Sequence, residues 1–192
     1  MATRFRIGTR PSRLARVQAE LVRKQLEAVL PGLQVELVPI TTSGDRNRSP
    51  SLAQAGGKGL FVKELEQALR ERRIDVCVHS IKDLPAKLGG DFRLAAVPAR
   101  EDPRDAIVTR EAGGLSALRE GARIGTSSAR RKFQALRLRP DLEIVALRGN
   151  VDTRLGKVAR GDLDGIIVAA AGLNRLGRPG ELTVTELDDR DF

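Results

Sequence analysis

Aromatic residues are scarce in this 192-residue chain, which has five Phe and neither Trp nor Tyr. Proteins that bind single-stranded nucleic acid stack bases on aromatic side chains, so the scarcity argues against that class of protein. Hydrophobic residues nevertheless make up 41% of the chain. We therefore predict a globular fold whose core is built from Leu, Ile, Val and Ala.

Cysteine and histidine are scarcer still, because Cys77 and His79 are the only residues of their kinds. A single cysteine excludes an internal disulfide, as is typical of a reducing compartment, and one Cys with one His cannot form a metal site of the Cys/His type. The first residues lack the apolar segment of a secretory signal, and no uncharged run approaches the roughly 18 residues of a membrane span. We predict a cytoplasmic protein without a bound metal or membrane contact, with Cys77 as a core thiol and His79 as a structural residue.

Acidic residues are too few to balance the basic ones: 25 Asp and Glu face 34 Lys and Arg, which gives a net charge of +9. A basic excess indicates an anionic partner, and nucleic acid, a membrane surface and a small polyacid all fit that description. The positions of the arginines in the fold decide between them.

Short apolar runs alternate with amphipathic segments along the chain, which predicts an α/β protein with largely parallel sheets. Pro98 and Pro103 enclose charged residues and indicate a linker. We predict two doubly wound lobes with a cleft between them: a first domain at 1–98, a hinge at 99–103 and a second domain at 104–192. The predicted strands are 5–7, 35–40, 74–78, 94–97, 106–108, 123–126, 144–147, 166–169 and 183–187.

Hydroxyl side chains, glycine and arginine follow many of these strands. Ligands of open α/β sheets bind at the carboxyl ends of strands, and helix N-termini there attract anions. The pattern therefore indicates a ligand with several anionic groups. The segments concerned are 9–12, 79–83, 125–131, 148–150 with Arg154, and 171–175.

Simpler interpretations also fit several of these residues. Ser12 and Ser127, taken alone, are typical helix N-caps. Arg130 and Arg131 also fit a solvated helix face. Asp83 fits either a turn residue with an ion-pair partner, or a carboxylate that faces an N–H donor or a cation formed during a reaction. The residues alone leave the two interpretations of Asp83 open.

Several motifs occur in a fixed order between Ile7 and about Gly177, and together they resemble the porphobilinogen deaminase family. The segment His-Ser-Ile-Lys-Asp-Leu-Pro at 79–85 is similar to the family signature around its catalytic aspartate. The other matching segments are 57–61, 100–106, 125–131, 147–150 and 171–177.

The resemblance implies a fold like that of type II periplasmic binding proteins, and it implies an enzyme, a transferase of haem and other tetrapyrrole biosynthesis. The family joins four porphobilinogen molecules head to tail, with loss of ammonia, to give hydroxymethylbilane. Each pyrrole carries an acetate and a propionate, so the growing chain is a polycarboxylate, and this accounts for the arginines. The implied cofactor is dipyrromethane, the implied ligands are porphobilinogen and pyrrole polycarboxylates, and the protein is expected to be a monomer that binds no nucleic acid.

The resemblance also implies roles for single residues. Asp83 matches the catalytic carboxylate, which would orient the pyrrole N–H and stabilise positive charge. Lys58 belongs to a loop expected over the cleft, where Gln54 stands in place of a lysine of many family members. The residues expected to bind substrate carboxylates are Arg10, Ser12, Arg148, Arg154 and Arg175. The residues expected to bind the cofactor are Ser80, Lys82, Thr126, Ser128, Arg130, Arg131 and Gly149.

The chain departs from the family pattern at its end. In the family, a cysteine of a third domain carries the cofactor by a thioether, and this chain ends at Phe192 before that domain. Cys77 does not match that cysteine. We therefore expect a truncated form that binds pyrrole carboxylates weakly and is inactive alone.

Two alternatives remain open at this point. The first is the small-anion-binding module of a type II solute-binding or sensor protein, which would have the same fold but gain nothing from an acid at Asp83. The second is a nucleic-acid-binding protein, whose affinity would depend steeply on salt. Against the second stands the placement of the arginines at strand ends instead of along one helix face.

Overall fold

The computed structural model describes residues 4–46, 60–188, 190 and 192. The chain divides into two compact units, Met1–Ala99 and Arg100–Phe192, called unit 1 and unit 2 below. The predicted hinge at 99–103 stays a prediction. In the ranges that the structure describes, no helix has both the length and the apolar character needed to cross a membrane.

Unit 1 contains a sheet of three parallel strands in the order β2-β1-β3. Helix α1 connects the first two strands as a crossover, which is how parallel neighbours are joined. It begins after Ser12 and ends before Pro31, because proline cannot continue a helix. The elements are β1 Arg4–Thr9, α1 Arg13–Val29, β2 Gln34–Pro39, α2 Ser43–Arg46, α3 Lys63–Arg70 and β3 Val76–Cys77.

The core of unit 1 brings α3 against the sheet through Leu65, Ala68 and Ile74. Gly8 of β1 makes this approach close. A Cβ atom at Gly8 would lie 2.3 Å from Cδ1 of Ile74, which is too short for two carbon atoms. A side chain at position 8 would therefore require the side chains of Ile74 and Leu65 to move within the core.

Unit 2 contains a five-stranded sheet in the order β6-β5-β7-β4-β8. Strand β5 runs parallel to β6 and β7, whereas β4 runs antiparallel to β7 and β8. The prediction of a largely parallel sheet is therefore wrong for β4, since no crossover helix precedes that strand. The strands are β4 Asp105–Thr109, β5 Arg123–Gly125, β6 Glu143–Val145, β7 Gly165–Ala169 and β8 Thr183–Glu186.

Helices cover both faces of this sheet. Ile107 and Ile167 pack with Ala135 of α4 on one face, and Val108 packs with Val158 of α5 on the other. Successive side chains of a strand point to opposite faces, so a run of apolar residues in β4 or β7 serves both cores. The helices are α4 Ala129–Leu138, α5 Val151–Ala159 and α6 Ala170–Leu176. This arrangement confirms the α/β class.

The strand predicted at 94–97 is wrong. These residues form no strand in the structure, and Leu94 and Val97 are exposed. An apolar run becomes a strand when its backbone finds a ladder partner. Among the described residues of unit 1, strand pairing joins only β1 to β2 and β1 to β3.

Candidate functional site

The end of β1 places Arg10 and Ser12 at the start of α1. Ser12 is the N-cap, and its Oγ accepts a hydrogen bond from the Ala15 N–H at 3.4 Å. The buried Thr9 donates its hydroxyl to the Ala15 carbonyl at 3.0 Å. These bonds fix the turn between β1 and α1, so the backbone places Arg10 at the carboxyl end of the strand.

Arg10 does not extend freely into solvent. It donates from Nε to Asp45 at 3.1 Å, and its guanidinium stacks on the Phe61 ring with 3.9 Å between the Cζ atom and the ring centroid. Thr42 holds Asp45 in turn, donating its hydroxyl at 2.7 Å and its backbone N–H at 3.1 Å. Burial opposes ionisation of Asp45, but the bonds from Arg10 and Thr42 outweigh it and lower the pKa of this carboxyl.

Strand β3 leads to the segment that carries the predicted catalytic carboxylate. A single turn of 3₁₀ helix spans Ile81–Asp83, closed by the bond from the Asp83 N–H to the Ser80 carbonyl at 2.9 Å. The Ser80 hydroxyl donates to Gln18 Oε1 of α1 at 3.0 Å. Lys82 and Asp83 are exposed. The turn therefore presents both charged side chains at the surface of unit 1.

His79 links this turn to Arg10. Burial lowers the pKa of His79, the Asp83 carboxylate opposes this shift, and the Arg10 guanidinium adds to it. Asp83 and Arg10 are therefore near enough to His79 to affect its charge. The His79 Nε2 atom is buried and has no hydrogen-bond partner among the described residues. Burial therefore favours the neutral form of this imidazole.

Cys77 lies in β3 and packs against the core cluster of Leu65, Ala68 and Ile74. Burial raises the pKa of its thiol to about 11, and the charge of Glu66 adds to the shift. A thiol with this pKa is almost entirely protonated at neutral pH and is a poor nucleophile. The interpretation of Cys77 as a core thiol agrees with this packing.

In unit 2 the start of α4 follows β5. Ser128 is the N-cap of α4, and its Oγ accepts from the Arg131 N–H at 3.4 Å. The interpretation of Ser127 as an N-cap is therefore wrong. Its hydroxyl instead joins the segments that follow β5 and β6, donating to the Leu147 carbonyl at 2.6 Å and accepting from the Leu147 N–H at 2.9 Å. The buried Thr126 Oγ accepts from the Ser128 N–H at 3.2 Å.

The two arginines of α4 share one carboxylate. Arg130 donates to Asp105 Oδ2 at 2.5 Å and Arg131 to Asp105 Oδ1 at 2.7 Å. The side chain of Arg131 is only 13% exposed, so a solvated helix face is wrong for Arg131. Burial opposes ionisation of Asp105, but the two arginines outweigh it and lower the pKa of its carboxyl.

A second helix start follows β6. Asn150 caps α5 by accepting from the Thr153 N–H at 3.1 Å, and Gly149 before it has a φ of +105°, a conformation that favours glycine. Arg154 donates from Nε to the Gly149 carbonyl at 2.8 Å. Burial lowers the pKa of Arg154, and the nearby charge of Arg131 lowers it further. Arg131 and Arg154 thus lie close together as two cations.

Helix α6 follows β7 and contacts a carboxylate from the segment before β4. Asn174 donates to Glu101 Oε1 at 3.2 Å. A bond from the Asp102 N–H and this bond from Asn174 lower the pKa of Glu101, and the charge of Arg175 contributes as well. Arg175 is therefore close to an acidic neighbour. Arg148 is half-buried, and no hydrogen bond of its side chain is found in the described part of the chain.

The structure brings some of the predicted residues together: Arg10 and Asp83 both lie near His79 in unit 1, and Arg131 lies near Arg154 in unit 2. Lys58 lies outside the described residues. Sequence reasoning missed three carboxylates that lie close to predicted arginines: Asp45, Glu101 and Asp105. The Thr42-Ser43-Gly44-Asp45 turn was a local signal for the first, whereas Glu101 precedes β4 and Asp105 is its first residue, so both escape a search of the carboxyl ends of strands. The predicted residues that belong to unit 1 are Arg10, Ser12, Ser80, Lys82 and Asp83, and those that belong to unit 2 are Thr126, Ser128, Arg130, Arg131, Arg148, Gly149, Arg154 and Arg175.

Comparison with known families gives one match over almost the whole chain. The family model described as porphobilinogen deaminase, dipyromethane cofactor binding domain, matches residues 5–192. Porphobilinogen deaminase of Syntrophotalea carbinolica is 58% identical over 172 residues, which are 90% of this chain and 55% of that protein. Porphobilinogen deaminase of Syntrophobacter fumaroxidans is 52% identical over 188 residues, 98% of this chain and 60% of that protein. The chain therefore spans little more than half the length of these relatives.

Solved structures with far lower identity share the fold. A protein described as a LysR-family transcriptional regulator from Pseudomonas aeruginosa matches with a TM-score of 0.53 at 13% identity, over 98% of this chain and 60% of that one. The periplasmic VFT2 domain of BvgS from Bordetella pertussis matches with a TM-score of 0.50 at 18% identity, over 97% of this chain and 75% of that one. The fold predicted from the resemblance, like that of type II periplasmic binding proteins, is confirmed.

Proposed function

Because the chain belongs to the porphobilinogen deaminase family, we propose that it is the part of such an enzyme that binds porphobilinogen, the growing pyrrole chain and the dipyrromethane cofactor. The reaction would be the head-to-tail joining of four porphobilinogen molecules to hydroxymethylbilane, with loss of ammonia. The same proposal makes the chain a monomeric cytoplasmic protein of tetrapyrrole biosynthesis. The observation that carries it is the exposed carboxylate of Asp83, which acts on the charge of His79 together with the nearby Arg10 guanidinium.

The residues of unit 2 fit a dipyrromethane, which carries several carboxylates. Arg131 and Arg154 lie close together, and the Arg154 hydrogen bond goes to a backbone carbonyl. Two neighbouring guanidiniums repel each other, and an anionic group between them would relieve that repulsion. The Nε atom of Arg131 is also buried without a hydrogen-bond partner in the described part of the chain. When bound, the cofactor would supply the pyrrole to which the first substrate is joined.

In this proposal, cationic and hydroxyl side chains bind the carboxylates of the substrate and the cofactor. Arg10, Arg148, Arg154 and Arg175 would bind acetate and propionate groups, because a guanidinium matches a carboxylate with two parallel N–H donors. Ser12 and Ser128 cap the starts of α1 and α4, and the remaining N–H groups of these helix starts would bind such carboxylates. Ser80, Lys82, Thr126, Arg130 and Gly149 keep their expected place at the cofactor, and Lys58 keeps its expected place in a loop.

Asp83 would act on the reacting ring. Loss of ammonia from porphobilinogen leaves a ring that carries positive charge, and a carboxylate at the pyrrole N–H stabilises that charge as it forms. Arginine cannot do this, since it carries charge of the same sign. His79 would remain neutral beside Asp83, so it adds no competing cation.

A binding experiment tests the proposal against the small-anion module. We expect the 192-residue chain to bind porphobilinogen in isothermal titration calorimetry, and Asp83→Asn to bind it about tenfold more weakly, about 1.4 kcal/mol. The matched control is Asp91→Asn, an exposed carboxylate of the same unit whose pair with Arg70 is long, at 3.4 Å. If the chain were a small-anion receptor, the Asp83→Asn variant would bind porphobilinogen as tightly as the unaltered chain or more tightly. That result would reject the proposal.

A further inference from the structure

Asp105 stands apart from the other acidic residues of the chain. It is the only charged residue in the buried class among those that the structure describes, and its side chain is 5% exposed. Burying a carboxylate is costly unless cations and hydrogen bonds compensate for lost water. Asp105 has that compensation twice over, because Arg130 takes one oxygen and Arg131 the other.

The direction of β4 explains how an acid comes to lie at this edge. Asp105 is the first residue of β4 and pairs with Ala169, the last residue of β7. Because the two strands are antiparallel, the amino end of β4 lies beside the carboxyl end of β7. The acid therefore reaches the edge where ligands of α/β sheets bind.

The two arginines that share Asp105 differ in freedom. Arg131 is 13% exposed and also donates from one terminal nitrogen to the Ile167 carbonyl at 3.3 Å, so both ends of its guanidinium are held. Arg130 is 58% exposed, and its other bond goes to Gln134 of its own helix. Asp105 thus fixes one guanidinium and loosely retains the other.

We propose that Asp105 is a positioning residue for ligand binding at the start of α4: it holds Arg131 in one orientation, ready for a ligand carboxylate, and lets Arg130 move to the ligand. The inference rests on the proposed function, because it takes the ligand to be a pyrrole carboxylate. Holding the guanidinium before binding removes an entropy cost that a long flexible side chain otherwise incurs on binding.

The direction in which Asp105→Asn changes the ligand affinity distinguishes a positioning role of Asp105 from a purely electrostatic one. Asp105→Asn removes a negative charge next to two arginines. By electrostatics alone, an anionic ligand would then bind more tightly. If Asp105 positions Arg131, the same change weakens binding, because the guanidinium loses its fixed orientation.

The test is calorimetric titration of the full chain with porphobilinogen and, separately, with citrate as a plain polycarboxylate. We expect Asp105→Asn to bind both probes about tenfold more weakly, and to change affinity little when Arg131→Gln is already present. The matched control is Asp164→Asn. Asp164 accepts from Arg119 at 3.0 Å and from the Arg123 N–H at 2.8 Å, but it precedes β7 and lies at the opposite end of that strand. We expect this control to lose stability without losing affinity.

Equal or tighter binding by Asp105→Asn would overturn the inference while leaving the proposed function intact. Binding of citrate but not of porphobilinogen by the unaltered chain would reject the proposed function, and citrate would still test Asp105. Binding of neither probe would reject both.

A measurement on the unaltered chain covers the case in which Asp105→Asn fails to fold. Nitrogen NMR of the arginine side chains reports rotation about the bond between Nε and Cζ. We expect slow rotation for Arg131 and faster rotation for Arg130, because Arg131 is buried and bonded to a backbone carbonyl, whereas Arg130 is 58% exposed and its second partner is the side chain of Gln134. Equally fast rotation in both would contradict the positioning role.

Discussion

At the scale of single residues, the arginines of this chain differ by what holds them. Arg10 and Arg131 each pair with a carboxylate of the protein that is mostly shielded from water. Arg154 instead donates to a backbone carbonyl and lies near the charge of Arg131. These residues carry the same charge, but Arg10 and Arg131 are already oriented by a carboxylate before a ligand binds, whereas Arg154 has no carboxylate partner among the described residues.

Asp45 gives a prediction on stability and pH. Its pKa is lowered in the folded chain, so its charge stabilises the fold above the unfolded pKa of about 3.9. This contribution is lost as the pH falls through the lower folded pKa. We expect Asp45→Asn to reduce the free energy of unfolding in urea by about 1–3 kcal/mol at pH 7, and the difference to shrink towards pH 2.

The control for this prediction is Glu36→Gln. Glu36 pairs with Arg4 on the surface of the same unit, and an exposed pair contributes about 0–1 kcal/mol. Equal losses of unfolding free energy in the two variants would show that the Asp45–Arg10 pair contributes no more to stability than an exposed pair. A loss in Asp45→Asn that does not depend on pH would show the same.

At the scale of elements, three helices that begin after strands share one design. Each has a polar cap that satisfies one N–H of the first turn: Ser12 for α1, Ser128 for α4 and Asn150 for α5. Each cap also lies within three residues of an arginine in the sequence. Local sequence therefore fixes both the helix start and the cation beside it, which is why these positions could be predicted.

Gly149 gives a prediction at this scale. Its φ of +105° strains any other residue, and an added Cβ would lie 3.0 Å from Cβ of Thr153. We expect Gly149→Ala to lower the free energy of unfolding by about 1–3 kcal/mol and to weaken porphobilinogen binding, because Asn150 and Arg154 shift with the turn. Gly180→Ala is the matched control, since nothing lies within 4 Å of the added Cβ. Similar values for the two variants would refute the turn requirement.

At the scale of the whole molecule, each unit has its own sheet and core. The only cysteine is committed to the core of unit 1, where burial raises the pKa of the Cys77 thiol to about 11. This bears on cofactor attachment, which in the family uses a cysteine that Cys77 does not match.

We accordingly expect the intact mass of the purified chain, even after incubation with porphobilinogen, to equal the mass of the sequence. The measurement is electrospray mass spectrometry, with the unfolded chain and a thiol reagent as the control that Cys77 can react once exposed. An added mass equal to a dipyrromethane on Cys77 would show that this thiol carries the cofactor.

The sequence by itself determined most of the elements, the α/β class and the residue types of the candidate site. Apolar periodicity, helix caps and the arginines that follow strands depend on residues that are neighbours in the sequence, so these features can be predicted from it. Only the tertiary structure decided the direction of β4, which places the amino end of that strand beside the carboxyl ends of its neighbours and so brings Asp105 to Arg130 and Arg131. It also decided that residues 94–97 form no strand and that Arg10 lies between Asp45 and Phe61. These features depend on contacts between residues far apart in the chain, so no local sequence pattern predicts them.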